Sequence, residues 1–372
     1  MTTYKSLSTA DSQVQTRTLL HEAIPLTGSI SSGSYSGNNI KNYSHGMFQS
    51  VYDYPYLSSS ANHIYDITFG YSNDSEFSAA ANTQNAKKIN IYNQMAQVLM
   101  GYDVNNNIQL FDQDGNIIAG GTKMRECFFL TFSRLLVKDE IKKGSFSLTL
   151  GVNQAYGNQD GSVMEKKLLI HDASGSDSYF SNSPTGEYGI LYATGSTTVG
   201  TAPTTKGINT AYPVGLIFYQ AGIAVISGSI FQDEAQGGIL HNSNAGTIQF
   251  MPDNLSGGDN GFFDLTGSSI SGAAESLRLR IDDLSFNNTI ELNSSIYFCR
   301  AAHNEFNFSS NPTYIDGAKI RVKGVQEDPP VAYITTVGLY SSDNVLLAVG
   351  KLSEPIRKDP SIELTFRARL DY

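Results

Sequence analysis

Tryptophan is absent from this 372-residue sequence, cysteine occurs twice, and charged residues make up only 16%, against ~25% in an average soluble domain. Without tryptophan the usual stacking platform of a sugar site is missing. Two cysteines cannot build a disulfide framework. Cys127 and Cys299 lie in the apolar runs ECFFLTF and IYFCRA, which fits buried free thiols in a reducing compartment better than a single disulfide. No run approaches the ~18 apolar residues of a membrane helix, and MTTYKSLSTADSQ lacks the basic-then-apolar pattern of an export signal, so neither a membrane span nor export is expected. Basic residues are scarce as well. The net charge is −10 and the pI about 5.0, a balance that repels phosphate backbones and disfavours nucleic acid as a partner.

Aromatic and turn-forming residues are what the sequence has in quantity. Its 21 Tyr and 19 Phe favour strands, while 34 Gly, with many Ser and Asn, favour turns. At 40% hydrophobic the chain can bury a core and is not disordered, and its length allows two or three domains. The expected class is mainly β with one substantial α-helix: an α+β chain of antiparallel β-sandwich-like domains ending in a C-terminal antiparallel sheet.

Residues 1–60 are polar, Ser- and Tyr-rich and poorly periodic, and read as an extended arm ordered by its own domain or a neighbour. Residues 61–168 read as an α+β domain with His63–Tyr71 as its first strand. A helix is predicted at about 78–101, because Ala86, Ile89, Tyr92, Met95, Ala96 and Leu99 recur at three- and four-residue spacing and Gly101 follows as a stop. DQDG at 112–115 reads as a hairpin turn between Asn107–Phe111 and Asn116–Ile118. Arg125–Val137 and Ser145–Val152 read as further strands.

Between Ile170 and Ser276 the only basic residue is Lys206. Residues 169–276 therefore read as an acidic, Gly-rich β module that packs separately and could be excised, with strands at Glu187–Ala193 and Pro213–Ile230 and a hairpin at Ala221-Gly222. Residues 277–372 read as a C-terminal β domain packed with 61–168. There AAESLRLRIDDLSF could form a short helix, or a strand with Leu277, Leu279 and Ile281 inward, and the strand is preferred because Arg278 and Arg280 then alternate outward; Val331–Tyr340 with Val345–Leu352 suit a hairpin. In Ser361–Tyr372, Phe366 and Leu370 fall on the apolar side and are expected in the core, with Arg367 and Arg369 outward toward solvent or a partner.

The motifs that would carry chemistry are incomplete. Asp112, Asp114 and Asn116 begin like a calcium loop, but Ile117 and Lys123 stand where an EF-hand needs Gly and Glu. The six histidines are scattered without paired spacing, and no G-x-S-x-G, P-loop or G-x-G-x-x-G occurs. Glu187 and Asp233 read as solvated charges, so no enzyme, cofactor or small-molecule ligand is expected. NEFNFSSNP, residues 304–312, is the most distinctive short motif. It reads as a corner shaped by Asn and Ser hydrogen bonds and ended by Pro312, and equally as an inter-subunit contact through Asn304, Phe306, Phe308 and Pro312.

ITTVGLY at 334–340, followed by DNVLLAVGKLSEP and a closing alternating strand, resembles the end domains of tailed-phage baseplate and tail proteins. YFCRAAHNEFNFSSNP and YPYLSSSANHIYDITFGYS likewise resemble virion proteins of contractile-tailed phages, notably cyanophages. The layout of an early ITFG strand, a helix, a β-rich middle and a β C-terminus is similar to a baseplate wedge subunit. The resemblance implies a virion structural protein that assembles in the host cytoplasm, with other baseplate or tail proteins and copies of itself as partners. A head, neck or collar protein and a carbohydrate-binding or hydrolysing tail-tip protein are the alternatives.

Overall fold

In a computed structural model of the chain, the described residues are 4–22, 37–113, 115, 122–151, 167–172, 175, 177–195, 212–231, 268–309, 311–321, 323–325 and 327–371. Strand β1 (Ser12–Glu22) is followed by β2 (Ile40–Asn42), β3 (Gln49–Tyr52) and β4 (His63–Tyr71). Helix α1 (Asn85–Leu99) leads to β5 (Phe111–Asp112), β6 (Lys123–Met124) and β7 (Glu126–Phe132). A short helix α2 (Arg134–Val137) precedes β8 (Glu140–Ile141), β9 (Ser147–Gly151), β10 (Lys167–His171), β11 (Phe180–Ser183) and β12 (Gly186–Gly195). Next come β13 (Tyr212–Phe218) and β14 (Ile223–Ser227), then helix α3 (Ile270–Arg280) running into β15 (Ile281–Ser285). The C-terminal part holds β16 (Asn288–Ala301), β17 (Ile315–Asp316), β18 (Lys319–Ile320), β19 (Ala332–Tyr340), β20 (Leu346–Lys358) and β21 (Leu364–Asp371). The chain is mainly β with few helices, as its composition implies.

It divides into two compact units, Met1–Leu20 with Glu291–Tyr372, and His21–Ile290. The larger unit is built on one eleven-stranded antiparallel sheet in the order β15-β9-β10-β12-β13-β14-β7-β4-β3-β2, with β11 beside β12. Strand β7 explains its layering. Cys127 and Phe129 enter a core with Tyr92 and Leu99 of α1 and Phe218, whereas Phe128, Leu130 and Phe132 enter a second core with Phe69, Ile226 and Leu277. Alternation in a strand with no polar face means burial on both sides. So wide a sheet curls: residues of both end regions, Ile40 and Val51 as well as Ile281 and Leu284, belong to the second core, and Phe132 of the interior strand β7 lies 4.9 Å from Phe286 and 6.0 Å from Phe146, next to β15 and β9. Helix α1 rests directly on β4 at Gly70, where a Cβ would fall 2.6 Å from the Lys88 carbonyl oxygen and 2.9 Å from the Tyr92 nitrogen. The β13–β14 turn is at Gly222, whose φ of +66° favours glycine.

Several elements differ from the sequence reading. Helix α1 starts at Asn85, not near 78, because Ser75, Asn82 and Asn85 side chains bond the intervening backbone in successive turns. Its buried stripe includes Lys88 and Ile91, while Ala86 is exposed. Residues 270–280 are a helix and not a strand: Ser269 caps it by accepting from Gly272 N–H, and Ile270, Ala273, Ala274 and Leu277 are buried at helical spacing. The strand expected over Arg125–Val137 stops at Phe132 and turns into α2. Strand β5 pairs with Lys123–Met124; Asp114 and Asn116–Ile118, on the far side of the expected turn, lie outside the described residues.

The acidic middle segment is not a separate module. β14 pairs with β7 from Ile223↔Thr131 to Ser227↔Cys127, and β10 pairs with β9 from Lys167↔Gly151 to His171↔Ser147, so β10, β12, β13 and β14 are interior members of the main sheet, with β11 beside β12. Excision would remove the centre of that sheet. Charge composition reports on exposed positions and carries no information about pairing. The arm and C-terminal boundaries move for the same reason. β1 joins β16 and β21, β2 and β3 join the large sheet, and the smaller unit resumes at Glu291, not at 277.

Lys88 is fully buried, its ammonium donates to the Ser268 carbonyl at 2.8 Å, and burial lowers its pKa from 10.5 to about 8. The unfolded chain holds this proton to higher pH than the folded chain. Stability from this group therefore rises as pH climbs above 8 and is lost as pH falls back through 8. Buried tyrosines act in the opposite sense only above their ordinary value of 10, Tyr71 being raised to about 12 by burial. Urea unfolding of wild type and Lys88→Met at about pH 7.5 and 9.5 should show wild type gaining on the variant at the higher pH. A constant or reversed difference would remove the buried ammonium from the account.

Candidate docking surface

The smaller unit contains the three-stranded run β1-β16-β21 and the two-stranded ribbon β19–β20. Cross-strand partners on β16 and β21 share a face. Cys299 is opposite Phe366, Tyr297 opposite Ala368 and Ala301 opposite Leu364, whereas Phe298 is opposite Arg367 and Ile296 opposite Arg369. The first set gives an apolar face, and it forms part of a groove of about 850 Å³. Its walls are Tyr4–Leu7, β16, Phe366 and Leu370 of β21, Phe306 and Phe308, and an unbroken run of β19 from Ala332 to Tyr340. Period two thus holds along β21, but its apolar side chains are half-buried and border this groove, not a closed core.

The NEFNF corner is held from below by Lys358, which is fully buried and donates to the Asn307 side chain at 2.7 Å, the Asp359 carbonyl at 3.0 Å and the His303 carbonyl at 3.2 Å. All three ammonium protons have an acceptor, which offsets the cost of burial. Lys5 reaches Glu305 at 2.6 Å, and Tyr4 meets the Tyr340 ring edge-on at 4.8 Å. The Lys5 ammonium and then the Ala302 N–H hold the Glu305 carboxyl below its ordinary range. Asn307 also donates to the His303 carbonyl at 2.7 Å, so the polar residues shape the corner while the two phenylalanines project from it.

The six residues singled out in the sequence are therefore not one cluster. Phe306 and Phe308 line the groove, 42% and 58% exposed. Asn304 and Pro312 are exposed but are not among its walls. Arg367 and Arg369 lie on the other face of the β16–β21 pair. Arg369 donates to Asp371 at 2.7 Å and to Ser294 at 3.1 Å, and the Ser294 hydroxyl followed by Arg369 lowers the Asp371 pKa. Sequence reasoning missed Tyr4, Tyr340, Leu347 and Lys358. The first three share one signal, large apolar side chains in stretches with few charges. Nothing in the sequence marks Lys358 as buried.

Other expected sites resolve differently. Both cysteines are free, but only Cys127 is fully buried; Cys299 is half-buried in the groove wall, where burial and then the Asp11 charge raise its pKa. Glu187 is not a solvated charge. It pairs with Lys143 at 2.6 Å, and the same ammonium is 3.6 Å from Glu140 and packs over the Tyr179 and Tyr219 rings. A lysine shared by two carboxylates offsets part of their mutual repulsion, a structural arrangement. Asp233 lies outside the described residues. Asp112, first in the calcium-like run, is buried in an ion pair with Lys123.

Six large apolar groove residues (Tyr4, Phe306, Phe308, Tyr333, Tyr340 and Leu347) are each at least 42% exposed. They present on the order of 600 Å² of apolar surface, a patch at the upper end of what a monomer exposes without a partner. Because Phe366 is only half-buried there, Phe366→Ala should cost about 1–2 kcal/mol, less than the ~3–5 of an enclosed aromatic. Arg367→Glu with Arg369→Glu should leave the melting temperature near wild type. Thermal and urea melts check both, and a loss from Phe366→Ala as large as for a core phenylalanine would mean that the groove is closed in solution. No protein-family model matches this chain, and no curated protein or solved structure matches it significantly.

Proposed function

We propose that this chain is a structural component of a contractile-tailed phage virion, in the tail baseplate as a wedge-type or adjoining subunit, and that it works by protein–protein assembly. The supporting observation is the groove of the smaller unit, whose aromatic walls stand open beside a strand edge that meets no other strand among the described residues. Aromatic side chains with few rotatable bonds on a fixed sheet are the usual anchors of tight interfaces, and many symmetric copies multiply modest individual affinities. In such a role the larger unit, with its doubly buried central strand, is the rigid body, and the smaller unit carries the contacts. The motif resemblance of 334–355 and 297–312 supplies the virion context.

Quantitative mass spectrometry of purified particles from the phage that encodes this chain tests the proposal. The chain should be present in a multiple of six copies per particle. Hundreds of copies would move it to the head, and absence from purified particles would overturn the reading.

A further inference from the structure

We infer that the outer edge of β19 is a pairing edge for a second copy of this chain, the two β19 strands running antiparallel about a two-fold axis to join two ribbons into one four-stranded sheet. The inference rests on the reading of the smaller unit as a docking surface and names its partner.

The argument begins with the ribbon. β19 and β20 pair only with each other, so each has an edge that meets no strand among the described residues. A lone two-stranded ribbon is marginal in water, and unpaired edges invite other strands unless they are blocked by charge, proline or a bulge. β20 has all three. Lys351, Glu354, Pro355 and Arg357 lie along it, and it bulges where Ile334↔Ile356 gives way to Thr336↔Lys351. β19, AYITTVGLY, is nine residues long with no charge and no proline, and all nine line the open groove.

Charge then selects the partner. About a two-fold axis a strand faces itself, so every charge on it meets its own copy, and like charges directly opposite are destabilising. β1, β16, β20 and β21 all contain charged residues; among the described strands of this unit longer than two residues, β19 is the one without any. The unit as a whole also balances. Residues 1–20 and 291–372 hold 11 basic and 11 acidic residues, which leaves the entire net charge of −10 on residues 21–290. Two smaller units can meet without bringing net like charge together. The area suffices as well: two copies meeting through the six exposed groove residues bury on the order of 1,200 Å², above the ~1,000 Å² that specific interfaces need.

Thr336 is exposed and is the fifth of the nine residues, so a centred two-fold sets it opposite itself. Full-length wild type in sedimentation equilibrium should show a species of about twice the 40.4 kDa chain mass. Thr336→Lys and Thr336→Glu should each weaken that dimer about five- to tenfold, and an equimolar mixture of the two should restore it, with native mass spectrometry showing the mixed pair. Ser353→Lys, on the guarded strand, should leave the dimer unchanged. A wild type that stays monomeric at high micromolar concentration overturns the inference. So do single variants that dimerise like wild type, or a mixture that fails to recover. The two proposals fail separately: a monomer found in particles sinks only the self-pairing, and a dimer absent from particles sinks only the virion role.

Discussion

The constraint on which the larger unit depends is the double burial of β7. Five of its seven residues send side chains into two separate cores, Cys127 and Phe129 into one and Phe128, Leu130 and Phe132 into the other, and its backbone is paired on one side by β4 and on the other by β14. A slip of one residue would exchange the contents of the two cores, so this single register fixes where α1 lies, how the sheet curls and where the middle segment must enter. The acidic middle of the sequence is then interior structure, held by partners from well before it in the chain.

The smaller unit follows the opposite logic. Its sheet has one half-buried face, neither edge of its ribbon meets a further strand among the described residues, and its apolar side chains border an open groove. A buried lysine and a salt-bridged N-terminal segment hold the corner that presents Phe306 and Phe308. Ordered polar contacts beneath exposed aromatics keep a contact surface in shape before a partner arrives, which lowers the entropy lost on docking. Self-pairing at β19 would satisfy the edge and cover the aromatics in one event.

Much of this was legible in the sequence. The strand β4, the β13–β14 turn at Gly222, the β19–β20 hairpin and the alternation of β21 were all readable, because period two and turn residues are local signals. What lies opposite a face is not local. Alternation in β21 says that Phe366 and Leu370 share a side but not whether that side is a core or a groove. Arg278 and Arg280 misled in the same way: as basic residues they suggest outward positions on a strand, yet both are buried in α3, where helical spacing of Ile270, Ala273, Ala274 and Leu277 was the better guide. At the docking surface the aromatic corner was readable. The contribution of Tyr4 and Tyr340 was not, since it depends on segments far apart in the sequence meeting in space.

Hydrogen exchange of β19 backbone amides as a function of protein concentration tests the central claim most directly, because it reads the free edge itself. If that edge is where copies join, amides of Ala332–Tyr340 that face the groove should exchange more slowly as concentration rises, while amides on the outer side of β20 keep their rate. Exchange along β19 that is independent of concentration, in a protein that nonetheless associates, would place the contact elsewhere and contradict the account.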